Sequence, residues 1–425
     1  MLRTTEGRRR LRAALIGGAL AILAAAPEAA AQSAVAPSAL LASQAQTSAQ
    51  TPPGSPNKSE EVGGWPKISF ASVGVLEYGG MKADSGLSRD AALALRLDST
   101  FLLEFNDTLS VDGLFQFKPR QPLRQNDPNR ELFINQAAGR DEGGRMKELY
   151  IRYGNYRVGK FVQDFGRAYV FLPGPFARDF VEESEQGYEP ADMIGVERIF
   201  IFENENAGWH QLSLSAFMVD RTFLHDSFPY NEGLIHYKNG GVGNTHWPEN
   251  VMLTDDVINM PVGHWGQVTT QASVIRWGKT YGAQRGEFWS TLGADLSIPL
   301  HGSVGDTLSG RFSQLRLYVE GARRDNFAGV AGRARNYLSA AVEYRNGPWT
   351  LDLTTTQRRT YDRVAPLQKD QFYTGSIGYT LPSATILSVS VSHEKVGDRE
   401  GFYAGITLTQ TLTALSRWIG KGRYY

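Results

Sequence analysis

Apolar and polar residues alternate along most of this chain, from Trp65 to Leu412. Leucine and phenylalanine occupy most odd-numbered positions between 91 and 105, and the pattern resumes from Leu109 to Phe117 after Asn106-Asp107. A helix needs apolar residues spaced three and four apart, whereas a strand with one apolar face needs alternation. Asn-Asp between two such runs is a hairpin signal. The pattern therefore predicts consecutive antiparallel strands.

The alternation predicts sixteen strands. A consistent up-and-down order requires a strand within 221–266, and 250–258 is the best candidate. A barrel with both chain ends on one side of the membrane must have an even number of strands, so the even number is a constraint and not a separate result. The predicted number of strands lies between 14 and 18. The predicted strands are 67–78, 91–105, 108–118, 146–153, 156–162, 194–203, 209–219, 250–258, 267–277, 287–298, 310–322, 335–345, 349–360, 371–380, 384–395 and 401–412.

Strand length and loop length favour a membrane barrel over a soluble sandwich, although both show the same alternation strand by strand. Most segments approach the about 9 to 11 residues that cross a bilayer at a tilt, rather than the about 5 to 6 typical of soluble strands. Short and long connections alternate, as they do between the two rims of an outer-membrane barrel. The fold class predicted is all-β, a transmembrane antiparallel β-barrel of about 16 strands. The short turns are Asn106-Asp107, Gly154-Asn155, Asn346-Gly347 and Pro382-Ser383, and the long polar loops are 119–145, 164–192, 221–248 and 360–370.

The N-terminus has the layout of a secretory signal peptide. Five arginines precede the apolar run Ala13–Ala26, and Ala29-Ala30-Ala31 offers a cleavage site. The alternative, a retained anchor, is disfavoured because Pro27 and Glu28 follow the run at once. Residues 32–64 are rich in Ala, Ser, Gln and Pro, which predicts a flexible periplasmic leader. The domain prediction is a signal peptide at 1–31, the leader at 32–64 and the barrel at 65–425.

Composition narrows the function. The chain has 425 residues, 44 basic and 44 acidic side chains, so it gives no electrostatic reason to expect nucleic acid as a partner. It has no cysteine, which excludes disulfide scaffolds and thiolate chemistry. Forty-five glycines and 11% aromatic residues suit a β protein with many turns.

Several short runs resemble the porin-like outer-membrane proteins of Gram-negative bacteria, distantly like the phosphate-selective porins. They are Gly159-Lys160-Phe161, Phe165-Gly166, Met218–Ser227 and the stretch from Gly240-Gly241 to Asn244-Thr245. The resemblance implies a 16-stranded, often trimeric diffusion channel in the cell outer membrane. One departure is the C-terminus: the last clear strand ends near Leu412, so either that strand is longer or a short periplasmic tail follows.

Charged positions opposite the apolar parity are expected to line an aqueous lumen. Loop 163–192 is acidic and contains the stiff apolar run Phe171–Phe176, so we expect it to fold inward as the constriction, facing a basic wall. The alternative is that these residues only solvate the inner wall and the outer loops. The candidate pore-lining or constriction residues are Arg96, Lys118, Arg120, Arg152, Arg167, Arg178, Asp179, Glu182, Glu183, Glu185, Arg316 and Glu320.

Metal and catalytic chemistry have little support. His225, His236, His246 and His264 lack a ligand spacing on one element. No Gly-x-Ser-x-Gly motif occurs, and no nucleophile is marked by a base and an orienting group. We therefore predict no metal, no cofactor and no enzymatic activity. Aromatic residues at strand ends are interpreted as an interfacial girdle; they are Trp65, Tyr78, Trp209, Trp277, Trp289 and Trp349.

The sequence thus predicts a porin for passive diffusion of small hydrophilic solutes or ions through a charged lumen. The expected partners are outer-membrane lipid, those solutes and two further copies in a homotrimer. The alternative is a non-conducting barrel with a structural, assembly or polymer-export role, for which residues 32–64 would dock a periplasmic partner.

Overall fold

The structure is a computed structural model of the full chain. None of the helical segments in the described part is long and apolar enough to cross a membrane. The predicted signal peptide and leader lie outside the described residues, which are 66–83, 90–118, 143–168, 190, 192–204, 208–225, 235–263, 265–301, 313–362, 367–381, 385–397 and 399–418.

Sixteen antiparallel strands form one closed barrel, and all sixteen predicted strands are confirmed. Each strand pairs with the next along the chain, and the first pairs with the last. The strands are β1 Lys67–Ala83, β2 Asp90–Glu104, β3 Leu109–Lys118, β4 Gly143–Tyr153, β5 Tyr156–Lys160, β6 Met193–Asn204, β7 Gly208–Val219, β8 Asn250–Val262, β9 Gly266–Arg276, β10 Phe288–His301, β11 Ser313–Asp325, β12 Ala334–Asn346, β13 Trp349–Tyr361, β14 Gln368–Thr380, β15 Thr385–Val396 and β16 Arg399–Trp418.

Short turns gather at the rim that also carries both ends of the barrel. Asn106 closes the β2–β3 turn, because its side-chain oxygen accepts from the backbone N–H groups of Thr108 and Leu109 at 2.9 Å each. Gly154 turns the chain between β4 and β5 with φ of 53°, a conformation that favours glycine. The connections at the four predicted long loops leave from the opposite rim, as the sequence predicts, but β13 and β14 extend into the predicted long loop 360–370 and leave only residues 362–367 between them.

Three further details differ from the prediction. The last strand does not finish at Leu412 but runs to Trp418, where it pairs with Lys67. β10 and β11 are separated by the eleven residues 302–312 at the short-turn rim, and β15 and β16 by only residues 397–398 at the long-loop rim. The length of a connection between two strands therefore does not always predict at which rim of the barrel it lies.

The outer face of the barrel is an apolar belt. Outward-facing residues include Leu353, Val389 and Ile406, whose exposed fractions are 57%, 47% and 48%. Trp349 and Tyr379 pack edge to face at the short-turn end of this belt, with ring centroids 4.7 Å apart. An exposed apolar belt with aromatic residues at its edge is the surface of a barrel embedded in a bilayer.

The inner face is mostly polar, but it also carries a buried apolar cluster. Its larger members are Phe165, Phe217, Met252, Ile275, Trp277, Trp289 and Phe372. The interpretation of Trp277 and Trp289 as interfacial girdle residues is wrong, since both are buried inside the barrel at 2% and 4% exposure. Apolar side chains that face the inside of the barrel are stable only where other residues cover them. The chain segment that follows β5 provides part of this cover.

Candidate functional site

The chain turns into the barrel immediately after β5. That strand has only five residues, and residues 161–168, here called the inward segment, run along the inner wall past β7 to β11. Ser215 on β7 donates to Gln163 Oε1 at 2.8 Å, and Thr254 on β8 donates to the backbone oxygen of Asp164 at 2.9 Å. The described part of the predicted constriction loop, from 163 to 168, therefore lies inside the barrel.

A carboxylate on β11 holds the far end of the inward segment. The backbone N–H of Arg167 donates to Glu320 Oε2 at 2.6 Å, and the hydroxyl of Tyr318 donates to the same oxygen at 2.7 Å. The guanidinium of Arg167 also lies 3.7 Å from Asp256 Oδ1 on β8. Because Glu320 is only 1% exposed, its charge is shielded from water and its hydrogen bonds are strong.

Aromatic rings anchor the same segment on the wall. The ring of Phe165 lies 5.8 Å from Trp289, Trp289 lies 4.8 Å from Trp277, and Trp277 packs edge to face on Phe217 at 5.4 Å. The guanidinium of Arg324 covers Trp289 at 4.1 Å. The inward segment is thus fixed by a buried apolar contact as well as by hydrogen bonds.

A buried ion cluster fixes the two ends of the loop. Lys160 Nζ, at the end of β5, lies 2.9 Å from Asp192 Oδ1 and 3.1 Å from Asp220 Oδ2, and Arg145 lies 3.1 Å from Asp192 Oδ2. Burial alone would raise the pKa of Asp192, which lies just before β6. The neighbouring Lys147, Arg145 and Lys160 outweigh burial and hold that pKa well below its usual range.

His225 lies close to this cluster, in a short 3₁₀ turn from Phe223 to His225. Burial lowers the pKa of His225, and Lys160 acts in the same direction. The imidazole is therefore neutral at neutral pH. Lys160 Nζ also donates to the backbone oxygen of Leu224 at 3.0 Å, which ties this turn to the wall.

Many charges on the rest of the inner wall occur in pairs of opposite sign. Arg157 on β5 bonds Glu197 and lies 3.3 Å from Asp164. On the opposite side of the barrel the pairs are Arg316–Asp295 at 2.6 Å, Arg345–Glu343 at 2.8 Å and Arg358–Asp370 at 2.7 Å. In these pairs each cation is balanced by a carboxylate beside it.

Five of the predicted site residues have described side chains, and all five lie on the inner side. Arg96 pairs with Asp98 at 2.7 Å and Arg152 with Asp112 at 3.1 Å. Arg316 pairs with Asp295, and Arg167 and Glu320 are joined to each other. Lys118 ends β3, and nothing is described of its side chain. The other predicted site residues lie outside the described part of the chain; they are Arg120, Arg178, Asp179, Glu182, Glu183 and Glu185.

The sequence prediction missed the residues that anchor the inward segment. Trp289, Ile275 and Met252 are on the same parity as the polar lumen residues of their strands. That signal was available: an apolar residue on the lumen parity indicates that something packs on the inner wall. Arg157, Lys160 and Glu197 were also missed, because their importance depends on pairings between strands.

Among the described residues, no group of three or more His, Asp or Glu side chains is arranged to hold a metal ion. His236 and His246 lie in the loop before β8, where the ring of His246 stacks on Tyr237 at 3.7 Å. His264 is outside the described residues.

Known proteins resemble this chain in structure but not in sequence. No protein-family model matches it, and no curated protein matches it. The outer-membrane channel DcaP of Acinetobacter baumannii is 13% identical, with a TM-score of 0.53 over 83% of this chain and 98% of that chain. Pseudomonas putida OprB at high pH is 12% identical, with a TM-score of 0.54 over 82% of this chain and 94% of that chain. At these identities the likeness shows the fold alone.

The closed sixteen-stranded barrel, the outward apolar belt and the polar inner wall together identify an outer-membrane β-barrel with a porin-like fold. Closed barrels and helices are the only structures that satisfy all backbone hydrogen bonds in lipid.

Proposed function

We propose that this protein is a porin that lets small hydrophilic solutes or ions diffuse passively through a charged lumen. The observation that carries the proposal is the inward segment, which is held on the inner wall by Glu320, Thr254 and Trp289. A barrel of sixteen strands is wide enough to leave an aqueous lumen, and a segment folded into it narrows the passage.

The charge pairs on the described wall support weak ion selectivity. Arg152, Arg157 and Arg316 each have a carboxylate partner on a neighbouring strand, so these lumen cations are compensated locally. Rings of one charge set strong selectivity in pores. We therefore expect cations and anions to pass with similar permeability, unless the acidic residues of the loop shift the balance.

Single-channel recording of the refolded mature protein in a planar bilayer tests this proposal. We expect stable, stepwise conductance and a small reversal potential in a salt gradient. Replacing Glu182, Glu183 and Glu185 by Gln is expected to move the reversal potential toward anion selectivity, because it removes negative charge from the proposed constriction. Replacing Asp325 by Asn, outward on β11, removes a carboxylate away from the lumen and serves as the control.

A folded barrel without current would contradict the porin proposal. It would favour the alternative, a non-conducting barrel that receives a periplasmic partner or an exported polymer. Deleting residues 32–64 separates the two: the alternative requires loss of partner capture while the barrel still folds, whereas a porin conducts with or without this leader.

Two charged side chains face outward within the apolar belt. They support the proposal that the protein associates with itself, for example as the homotrimer that the sequence resemblance implies. Arg198 faces outward on β6 between Val196 and Phe200, and its guanidinium lies 4.5 Å from the ring of Phe200. Asp255 faces outward on β8, 3.8 Å from His210. A charge facing lipid costs about 2–4 kcal/mol for Arg or Lys at the bilayer centre, less toward the interfaces and less for Asp, so contact with another protein surface is the more favourable arrangement for both residues.

A further inference from the structure

A row of cationic side chains crosses the outer face of the barrel at the long-loop rim. Arg359 on β13 and Lys369 on β14 are register partners, and Arg323 on β11 continues the row through Asn336 on β12. The guanidinium of Arg323 donates to Asn336 Oδ1 at 3.4 Å. These three cations and the amide of Asn336 lie on adjacent strands and form one band, here called the cationic row.

The cationic row begins where the apolar belt ends. On β14 the outward positions change from Ile377 and Tyr373 to Gln371 and Lys369 toward the long-loop rim. On β13 they change from Leu353 to Gln357 and Arg359. On both strands the outward side chains change from apolar to amide to cationic within a few residues. This order is expected for a surface that passes from the acyl chains to the headgroups of a bilayer.

A cluster of rings marks the same level independently. Tyr373, His393 and Phe402 are register partners on β14, β15 and β16, and all three face outward. The rings of Tyr373 and His393 stack at 6.3 Å, and His393 lies 4.6 Å from Phe402. Aromatic residues concentrate where acyl chains meet headgroups, so the cationic row one or two outward positions farther along lies among the headgroups.

Two cations of the row have no internal partner in the described structure. Arg323 is neutralised by Asp325 at 2.7 Å, and the nearby Lys395 is neutralised by Glu400 at 3.1 Å. Arg359 and Lys369 are exposed, and no carboxylate of the described residues pairs with either. Their side chains are therefore available to a ligand outside the barrel.

The other rim differs. At the short-turn end of the same strands, the outward residues are Trp349, Tyr379 and Leu387. The described outer surface of these strands thus presents cations to one membrane interface and apolar rings to the other. Such asymmetry fits a bilayer in which only the leaflet at the long-loop rim carries clustered phosphates.

We propose that the cationic row binds the phosphate groups of a phosphorylated glycolipid in the outer leaflet. Arg359 offers a planar fork of donors that suits phosphate oxygens, and Lys369 adds a second cation on the adjacent strand. The acyl chains of the same lipid lie along Leu353, Tyr373 and Ile377 below. This inference rests on placement in an outer membrane, but not on whether the barrel conducts.

Lipid binding to the refolded mature protein tests the proposal, with bisphosphorylated lipid A as the probe and native mass spectrometry as the readout. The Arg359→Gln/Lys369→Gln double variant is expected to weaken binding roughly 10- to 30-fold, as the loss of two basic contacts to an anionic headgroup implies. Arg276→Gln is the matched control, since Arg276 is an exposed, outward cation at the long-loop end of β9. The control is expected to bind like the wild type.

Three results would overturn the proposal. The double variant would bind as tightly as the wild type, or dephosphorylated lipid A would bind as tightly as the phosphorylated form. Alternatively, inorganic phosphate at millimolar concentration would displace the lipid, which would make the row a general anion site. Heat-modifiable mobility on a gel confirms that each variant is folded, and conductance of the same samples separates failure here from failure of the porin proposal.

Discussion

Glu320 offers a direct test of whether the inward segment controls passage. Glu320→Ala removes the acceptor for the backbone N–H of Arg167, while the contacts of Asp164 with Thr254 and of Phe165 with Trp289 stay in place. We therefore expect the segment to remain mostly docked but to leave the wall more often.

The size of the effect follows from the geometry. Glu320 is buried and its bond to Arg167 is 2.6 Å long, so the loss corresponds to a hydrogen bond to a charged group, about 1.5–3 kcal/mol. Each 1.4 kcal/mol is tenfold in an equilibrium, so the undocked population is expected to rise by about 10- to 100-fold. Tyr318→Phe leaves the carboxylate in place and removes only the hydroxyl that orients it, so a smaller effect is expected.

Single-channel recording measures this population as transitions between conductance levels. The Glu320→Ala variant is expected to show more frequent transitions and a higher mean conductance than the wild type. Asp352→Ala is the control, since it removes a carboxylate of the inner wall that bonds Ser376 and has no described contact with the inward segment. Identical traces for Glu320→Ala and the wild type would refute the idea that this carboxylate holds a constriction.

Three other predictions test the wall, the outer face and the base of the loop. Gly195→Ala is expected to impair barrel formation on a heat-modifiability gel, because an added Cβ would lie 2.8 Å from Phe217 Cα, whereas Gly74→Ala, with its nearest atom at 3.9 Å, is expected to fold; equal folding would contradict this reasoning. Arg198→Leu is expected to reduce self-association in analytical ultracentrifugation, and an unchanged oligomer would remove this face from the interface. Because the pKa of Asp192 is depressed, its stabilisation is complete above the unfolded value near 3.9 and is lost only as pH falls through the lower folded value. Asp192→Asn is therefore expected to lower the thermal unfolding temperature by the same amount at pH 7 and pH 5, and a difference that shrinks between these values would argue against the ion cluster.

Strand positions could be predicted from the sequence because alternation is a local signal. Membrane strands must keep one face apolar and the other polar over their whole length, and turn residues such as Asn106 and Gly154 interrupt them. The end of β16 was harder to place, since residues beyond Leu412 do not alternate clearly, and their strand conformation depends on pairing with β1.

The site was less predictable because it depends on contacts between distant positions. The bond between Arg167 and Glu320 joins residues 153 positions apart, and no local pattern encodes it. Strand β4 adds a second difficulty, because it contains a bulge. The neighbouring β3 residues Leu114 and Phe115 pair with Glu148 and Met146, so Lys147 on β4 has no register partner on β3. This bulge places Lys147 on the inner side as well as Glu148, and alternation alone predicts only one of them.

The pairing of β1 with β16 has a consequence for how the molecule is made. Lys67 and Trp418 are register partners, although most of the chain lies between them. Contacts between residues so far apart in the sequence form slowly, because closing the loop costs conformational entropy before the free energy of the new contacts can offset it. Until β16 arrives, β1 is an open edge able to pair with a foreign strand. The pairing of β16 with β1 is therefore the step that removes the last open edge of the sheet and closes the barrel.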